Sequence, residues 1–229
     1  MIHWKLPSFF QFFLYYFVVQ FVLGQPALTR LLSPLVPSPW WFLLGSWGVL
    51  FACLAGRMPG LLSLDGLQVS DLGRIWPIKR NDVFVGLCSG IGIYLFKEGF
   101  YRVVHPLVSG SMGNAPLTQA FRFLGNTPWD HAGFLASVGI LGPLAEEIVF
   151  SAYALASMER AWGKTPPRTA AYVLVASVLF SAMHQAGHVL YSLGYLMTGI
   201  LFRLVYARYR SLPAAFLAHA AANLLGELP

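Results

Sequence analysis

Between Gly139 and Phe150 the chain is apolar except at two adjacent carboxylates, Glu146 and Glu147. A run of this kind has to be a helix buried among other helices. In lipid every backbone N–H and C=O must be satisfied within the segment, which leaves helices or a closed barrel. A charge at membrane depth costs at least about 2.5–3.5 kcal/mol, so an acidic pair there marks a functional site or a specific buried partner. The rest of the sequence supplies the membrane. It is 57% hydrophobic and only 10% charged, against about 25% charged in soluble domains.

The reading is therefore all-α: a polytopic membrane bundle of about seven transmembrane helices forming one domain over residues 1–229. The spans are expected at Phe9–Leu23, Trp40–Ala55, Val83–Phe96, Ala132–Met158, Thr169–Gly187, His188–Tyr206 and Ser211–Leu228. The apolar start resembles a signal peptide, but Gly24–Ala27 is a poor cleavage site and the segment is read as the first span. Arg57–Asp82 and Lys97–His131 are expected to be connections, the second with an interfacial helix near Leu117–Leu124. Cys53 and Cys88 lack any metal-site spacing and read as small buried packing residues.

A net charge of +6 raises the question of nucleic acid. The basic residues are scattered through connections with no stripe of interleaved aromatics, so they read as topology signals and nucleic acid is excluded. With the N-terminus cytoplasmic, ten basic residues fall on the cytoplasmic side: Lys5, Arg57, Arg74, Lys79, Arg80, Arg160, Lys164, Arg168, Arg208 and Arg210. Four fall outside: Arg30, Lys97, Arg102 and Arg122. That asymmetry places the protein in a cell membrane with its N-terminus inside.

Three further polar groups recur in the later spans: His184 with Phe180 four residues before it, then His188, then His219 with Asn223. On a helix His219 and Asn223 share a face. A carboxylate and an imidazole can bind and deprotonate a water. A His–Asn pair can donate to the oxyanion formed when that water attacks an amide. One intramembrane His is more often a helix–helix contact than a catalyst. The Glu pair, His184 and the His219–Asn223 pair together resist that account, because each would need its own buried partner. His188 falls at a helix end and reads as water-facing.

Pro143-Leu-Ala-Glu-Glu-Ile-Val-Phe150, Phe180-x-x-x-His184, Gly199…Tyr206-x-Arg208-x-x-Ser211-Leu212 and His219-x-x-x-Asn223 resemble the CPBP family. These are the CAAX-processing and bacteriocin-processing intramembrane endopeptidases, relatives of the Rce1-type prenyl protease. The resemblance covers a core of residues 132–226. It implies a glutamate-type intramembrane protease acting on a membrane-anchored protein or peptide near its C-terminus or anchor. It implies Glu146 as the water-activating base, His184 as its partner, His219 and Asn223 as the oxyanion site, and Glu147 as a supporting carboxylate. No cofactor is implied. Its altered first motif resembles what divergent bacterial branches tied to C-terminal sorting systems would carry, by analogy only.

One position departs from the family pattern. The family places Arg four residues after the second Glu, and this chain has Ser151 there. Arg203, in the sixth span, is a cation where the family has a small or apolar residue. It either pairs with Glu147 in place of the missing arginine or snorkels to the cytoplasmic interface a turn away. Three rival readings remain. His184-Gln-Ala-Gly-His188 has zinc-helix spacing but Gln185 where a zincin needs Glu; a metal on Glu146, His184 and His219 is the other metal option. A non-catalytic immunity or scaffold protein on the same fold is the second. A transporter would want broken helices repeated in two halves, and none is seen.

Overall fold

The structure, a computed structural model, describes residues 9–11, 13–14, 39–108, 128–184 and 189–226. Six helices organise them: α1 (Pro39–Asp65), α2 (Arg80–Val108), α3 (Pro128–Trp162), α4 (Pro166–Met183), α5 (Val189–Tyr209) and α6 (Leu212–Gly226). A 3₁₀ turn, Val69–Leu72, lies between α1 and α2. No strand occurs among the described residues, only an isolated bridge between Arg74 and Ser211. The protein is an all-α integral membrane bundle. Of the described helices, α1, α2, α3 and α5 are long and apolar enough to cross a membrane, while α6 is a shorter apolar helix.

Helix α3 is the central element, 56% buried against 17% for α2. It touches α1, α4, α5 and α6, while α2 lies along α6 and α4 along α5. The outer helices turn large apolar side chains such as Phe84, Leu95 and Val103 outward, where lipid is the partner. The N-terminal segment also reaches α3: Phe9 is fully buried against Tyr153, and its N–H donates to Ser157 Oγ at 3.3 Å. The remainder of the expected first span, the Leu117–Leu124 helix, His188 and the side chain of Cys53 lie outside the described residues.

Several expected boundaries move. Helix α1 runs ten residues past Ala55 to Asp65, through Pro59, because Leu62 and its neighbours continue the apolar register past Arg57. Helix α2 extends beyond Phe96 to Val108. Its polar continuation is helical, with Arg102 Nε 2.9 Å from Glu98 Oε1 one turn away. Cys88 is exposed rather than buried, since it sits on the outward face of α2. The segments carrying Arg74, Arg160 and Arg210 meet at one end of the bundle: Arg210 pairs with Glu159, and the Arg74 N–H donates to the Arg210 carbonyl at 2.8 Å. The basic connections grouped on one side in the sequence thus come together in space.

Candidate active site

Helix α3 is not a uniform α-helix. It widens into π geometry twice, at Ser137–Leu141 and again at Glu147–Tyr153, with a short α segment, Gly142–Glu146, between. π-turns inside helices concentrate at functional sites. The first has a local cause, Pro143, whose ring and missing N–H disturb the ladder behind it. The Gly142 N–H bonds Ser137 O, five residues back. In that register the next donor would be residue 143 to Val138 O, and proline has none to give. Asn223 of α6 supplies it: its Nδ2 donates to Val138 O at 2.9 Å.

The second π-turn begins at Glu147 and separates the two carboxylates by environment. Glu147 is fully buried. Ser151 Oγ donates to its Oε2, and His219 Nδ1 lies 2.9 Å from its Oε1. The Arg203 guanidinium, also fully buried, places Nη2 3.8 Å from the same Oε1. The side chain of Glu146 remains 18% exposed, and its Oε2 is 3.6 Å from His219 Nε2. His219 thus lies between the two carboxylates, one at each ring nitrogen. A carboxylate can only accept, so the short Nδ1 contact puts a proton on Nδ1.

His184 closes α4 as its C-cap. Its Nδ1 donates to Phe180 O at 2.8 Å, which leaves Nε2 as the free nitrogen. The ring stacks on Tyr195 of α5 at 4.3 Å between centroids and packs against Phe180 at the same separation. Glu146 is close enough to His184 to couple with it electrostatically. His219 in turn stacks on Phe202 at 4.0 Å. Arg203 is held by Gly199 O at 3.2 Å and lies over the rings of Phe180 and Phe150. The buried His219 and Arg203 and the half-buried His184 are thus held against aromatic faces, and charge–charge interactions are strong where burial excludes water.

The structure brings together Glu146, Glu147, His184 and His219, and places Asn223 one helical turn beyond His219. It adds residues that the motif search did not single out for the site. Tyr195 is one; it shares a face of α5 with Gly199 and Arg203 at four-residue spacing, a signal that could have found it. Phe202 gave no such signal. A cleft of about 420 Å³ lies elsewhere, among Asp71, Glu159, Arg160, Lys164 and Arg210. None of the candidate site residues lines it. Among the described residues, no three His, Cys, Asp or Glu side chains are grouped to hold one metal ion.

No curated protein and no solved structure matches the chain significantly. Residues 128–225, running from the start of α3 to the end of α6, match the Rce1-like family, described as type II CAAX prenyl endopeptidase Rce1-like. That stretch contains Glu146, Glu147, His184, His219 and Asn223 together, and over this core the chain is similar to the Rce1-like family of CAAX-type endopeptidases.

Proposed function

We propose that the protein is a glutamate-type intramembrane endopeptidase, cutting a membrane-anchored protein or peptide near its C-terminus or anchor. The observation that carries this reading is the contrast within the Glu pair. Glu147 is saturated by Ser151, His219 and Arg203, while Glu146, one residue away, keeps access and faces His219 Nε2. Glu146 is then the base. It takes a proton from a water held with His184, the hydroxide attacks the peptide carbonyl, and the proton passes to the leaving amine. His219, fixed through Nδ1 by Glu147, donates from Nε2 to the oxyanion when it carries both protons. In that form the two cations, His219 and Arg203, balance the two carboxylates. Asn223 spends one N–H on Val138 and keeps the second for the oxyanion.

The chemistry needs no cofactor, so a chelator is expected to leave cleavage unchanged, and loss of activity with metal stripping would point to a metal hydrolase. The basic end of the bundle is read as cytoplasmic, with the N-terminus inside. The altered arginine position fits a bacterial branch that serves a C-terminal sorting system. The rival, a non-catalytic scaffold, draws support from Ser151 and from the commitment of Asn223 to the backbone. Co-expression with candidate C-terminally anchored proteins decides between them. A mobility shift seen with wild type and lost with Glu146→Ala supports the protease. Equal shifts in both, or none with any candidate, favour the scaffold.

A further inference from the structure

The family match begins at residue 128, yet the turn that launches α6 is fastened by residues from before it. Asp82, in the first turn of α2, is 1% exposed. Its carboxylate accepts from both terminal nitrogens of Arg74, from the Lys79 N–H at 2.7 Å and from Ser211 Oγ at 2.7 Å. Those four bonds fill the four acceptor positions of a carboxylate. Ser211 precedes α6, and its Oγ accepts from the Ala214 N–H at 3.2 Å, the geometry of a helix N-cap. One hydroxyl therefore starts α6 and ties it to Asp82.

The backbone repeats the connection. Arg74 N donates to Arg210 O at 2.8 Å and Leu212 N donates to Arg74 O at 3.0 Å. Tyr206 Oη donates to Leu72 O at 2.5 Å. Gly73, at φ +75°, fits because a Cβ there would lie 2.8 Å from Arg210 O and 2.9 Å from Tyr206 Oη. Beyond Asp82, α2 continues along α6 at near backbone contact, so a Cβ at Gly86 or Gly90 would lie 2.5 Å from Leu217 or 2.6 Å from Ala221.

We infer that Arg74, Asp82 and Ser211 form a clasp that sets the depth and register of α6, making them positioning residues for His219 and Asn223. Ser211 caps the uninterrupted helix that carries His219 eight residues further on, so a displacement at the cap is carried to the imidazole rather than absorbed. The clasp accounts for the Ser211-Leu212 part of the sequence motif, which the proposed chemistry leaves unused. It also gives the N-terminal half of the chain a part in the site. The geometric claim stands apart from the hydrolase reading; only its effect on turnover rests on that reading.

The test uses the full chain in lipid nanodiscs with ¹⁵N-labelled histidine, the His219 Nδ1 resonance being assigned by difference against His219→Phe. Ser211→Ala removes both the cap and the link and leaves the Arg74–Asp82 pair, whereas Asp82→Asn weakens the link and leaves the cap. Ser211→Ala is expected to move the His219 Nδ1 signal toward that of a histidine free of Glu147, with helicity by circular dichroism retained. Ser211→Thr, which keeps a capping hydroxyl, is expected to return the signal. Asp82→Asn should move it in the same direction as Ser211→Ala. On a membrane-anchored reporter that wild type cleaves, Ser211→Ala is expected to lower kcat by about 10–100-fold with KM unchanged, the loss typical of sub-ångström to ångström misplacement. An unmoved His219 signal in folded Ser211→Ala overturns the clasp, whether or not the chain is a protease. A moved signal without cleavage of any reporter by wild type would leave the clasp and overturn the hydrolase.

Discussion

Arg203 on α5 and Glu147 on α3 meet across the bundle with Nη2 3.8 Å from Oε1, both side chains fully buried. The cation missing at residue 151 is supplied from a neighbouring helix, and Ser151 fills the vacated place by bonding the other oxygen of Glu147. Removing one partner of a buried pair leaves an uncompensated charge and costs about 3–5 kcal/mol. Arg203→Leu is expected to lower stability on that scale in detergent unfolding. Adding Ser151→Arg, which returns the cation to α3, is expected to recover part of it. A silent Arg203→Leu would show that Glu147 is held without the guanidinium.

The two carboxylates should separate cleanly by mutation. Glu146→Gln is expected to cut reporter cleavage by at least about 10²-fold, the scale of a lost general base, with unfolding unchanged because the side chain is partly open. His184→Ala is expected to match that loss of cleavage. Glu147→Gln strips the partner from Arg203 and His219 and should lower both stability and cleavage. If Glu146→Gln turns over at the wild-type rate, or destabilises more than Glu147→Gln, the roles assigned to the pair are wrong.

Helices were legible in the sequence because apolar runs in a membrane chain have few alternatives. Their ends were not. Nothing in the composition shows that α1 continues through Pro59 or that α2 continues past Lys97, since those choices are set by packing. The pairing of Arg203 with Glu147 was foreseeable as two compensating departures at helical depth. The position of His219 between two carboxylates was not, because it depends on the π-turn that sets Glu146 and Glu147 facing as they do. The role of Asn223 toward Val138 was hidden for the same reason: it follows from a hydrogen-bond register and not from a side-chain pattern.

Two glycines two residues apart on α2 give an internal control. A Cβ at Gly90 would lie 2.7 Å from the Ala218 carbonyl, which is backbone and cannot rotate away, while a Cβ at Gly92 meets nothing within 4 Å. Gly90→Ala is expected to push α2 and α6 apart and cost about 1–3 kcal/mol, as overpacking does. Cleavage should fall with it, because His219 rides on α6. Gly92→Ala is expected to be neutral or slightly stabilising, since Ala is the better helix former. Equal behaviour of the two variants in an unfolding assay would mean that the close contact is not maintained.

The link between Pro143 and Asn223 makes a prediction of opposite signs. Asn223→Ala strands the Val138 carbonyl, which has no helical donor because residue 143 is proline. A buried acceptor left without its partner costs about 1–3 kcal/mol, and this part-buried one is expected at the low end of that range. Pro143→Ala restores an N–H in the position to bond Val138 O, or lets the π-turn relax to α geometry, so the carbonyl no longer needs Asn223. In the Pro143→Ala background the same Asn223→Ala change is therefore expected to cost much less, and the two mutations should be non-additive by at least about 0.5 kcal/mol, as for residues sharing one network. Cleavage should separate from stability in that double variant. If Asn223 also serves the oxyanion, activity stays about 10²–10³-fold down even where stability returns. Full recovery of both would confine Asn223 to the backbone, and strict additivity in unfolding would show that Pro143 does not create the vacancy that Asn223 fills.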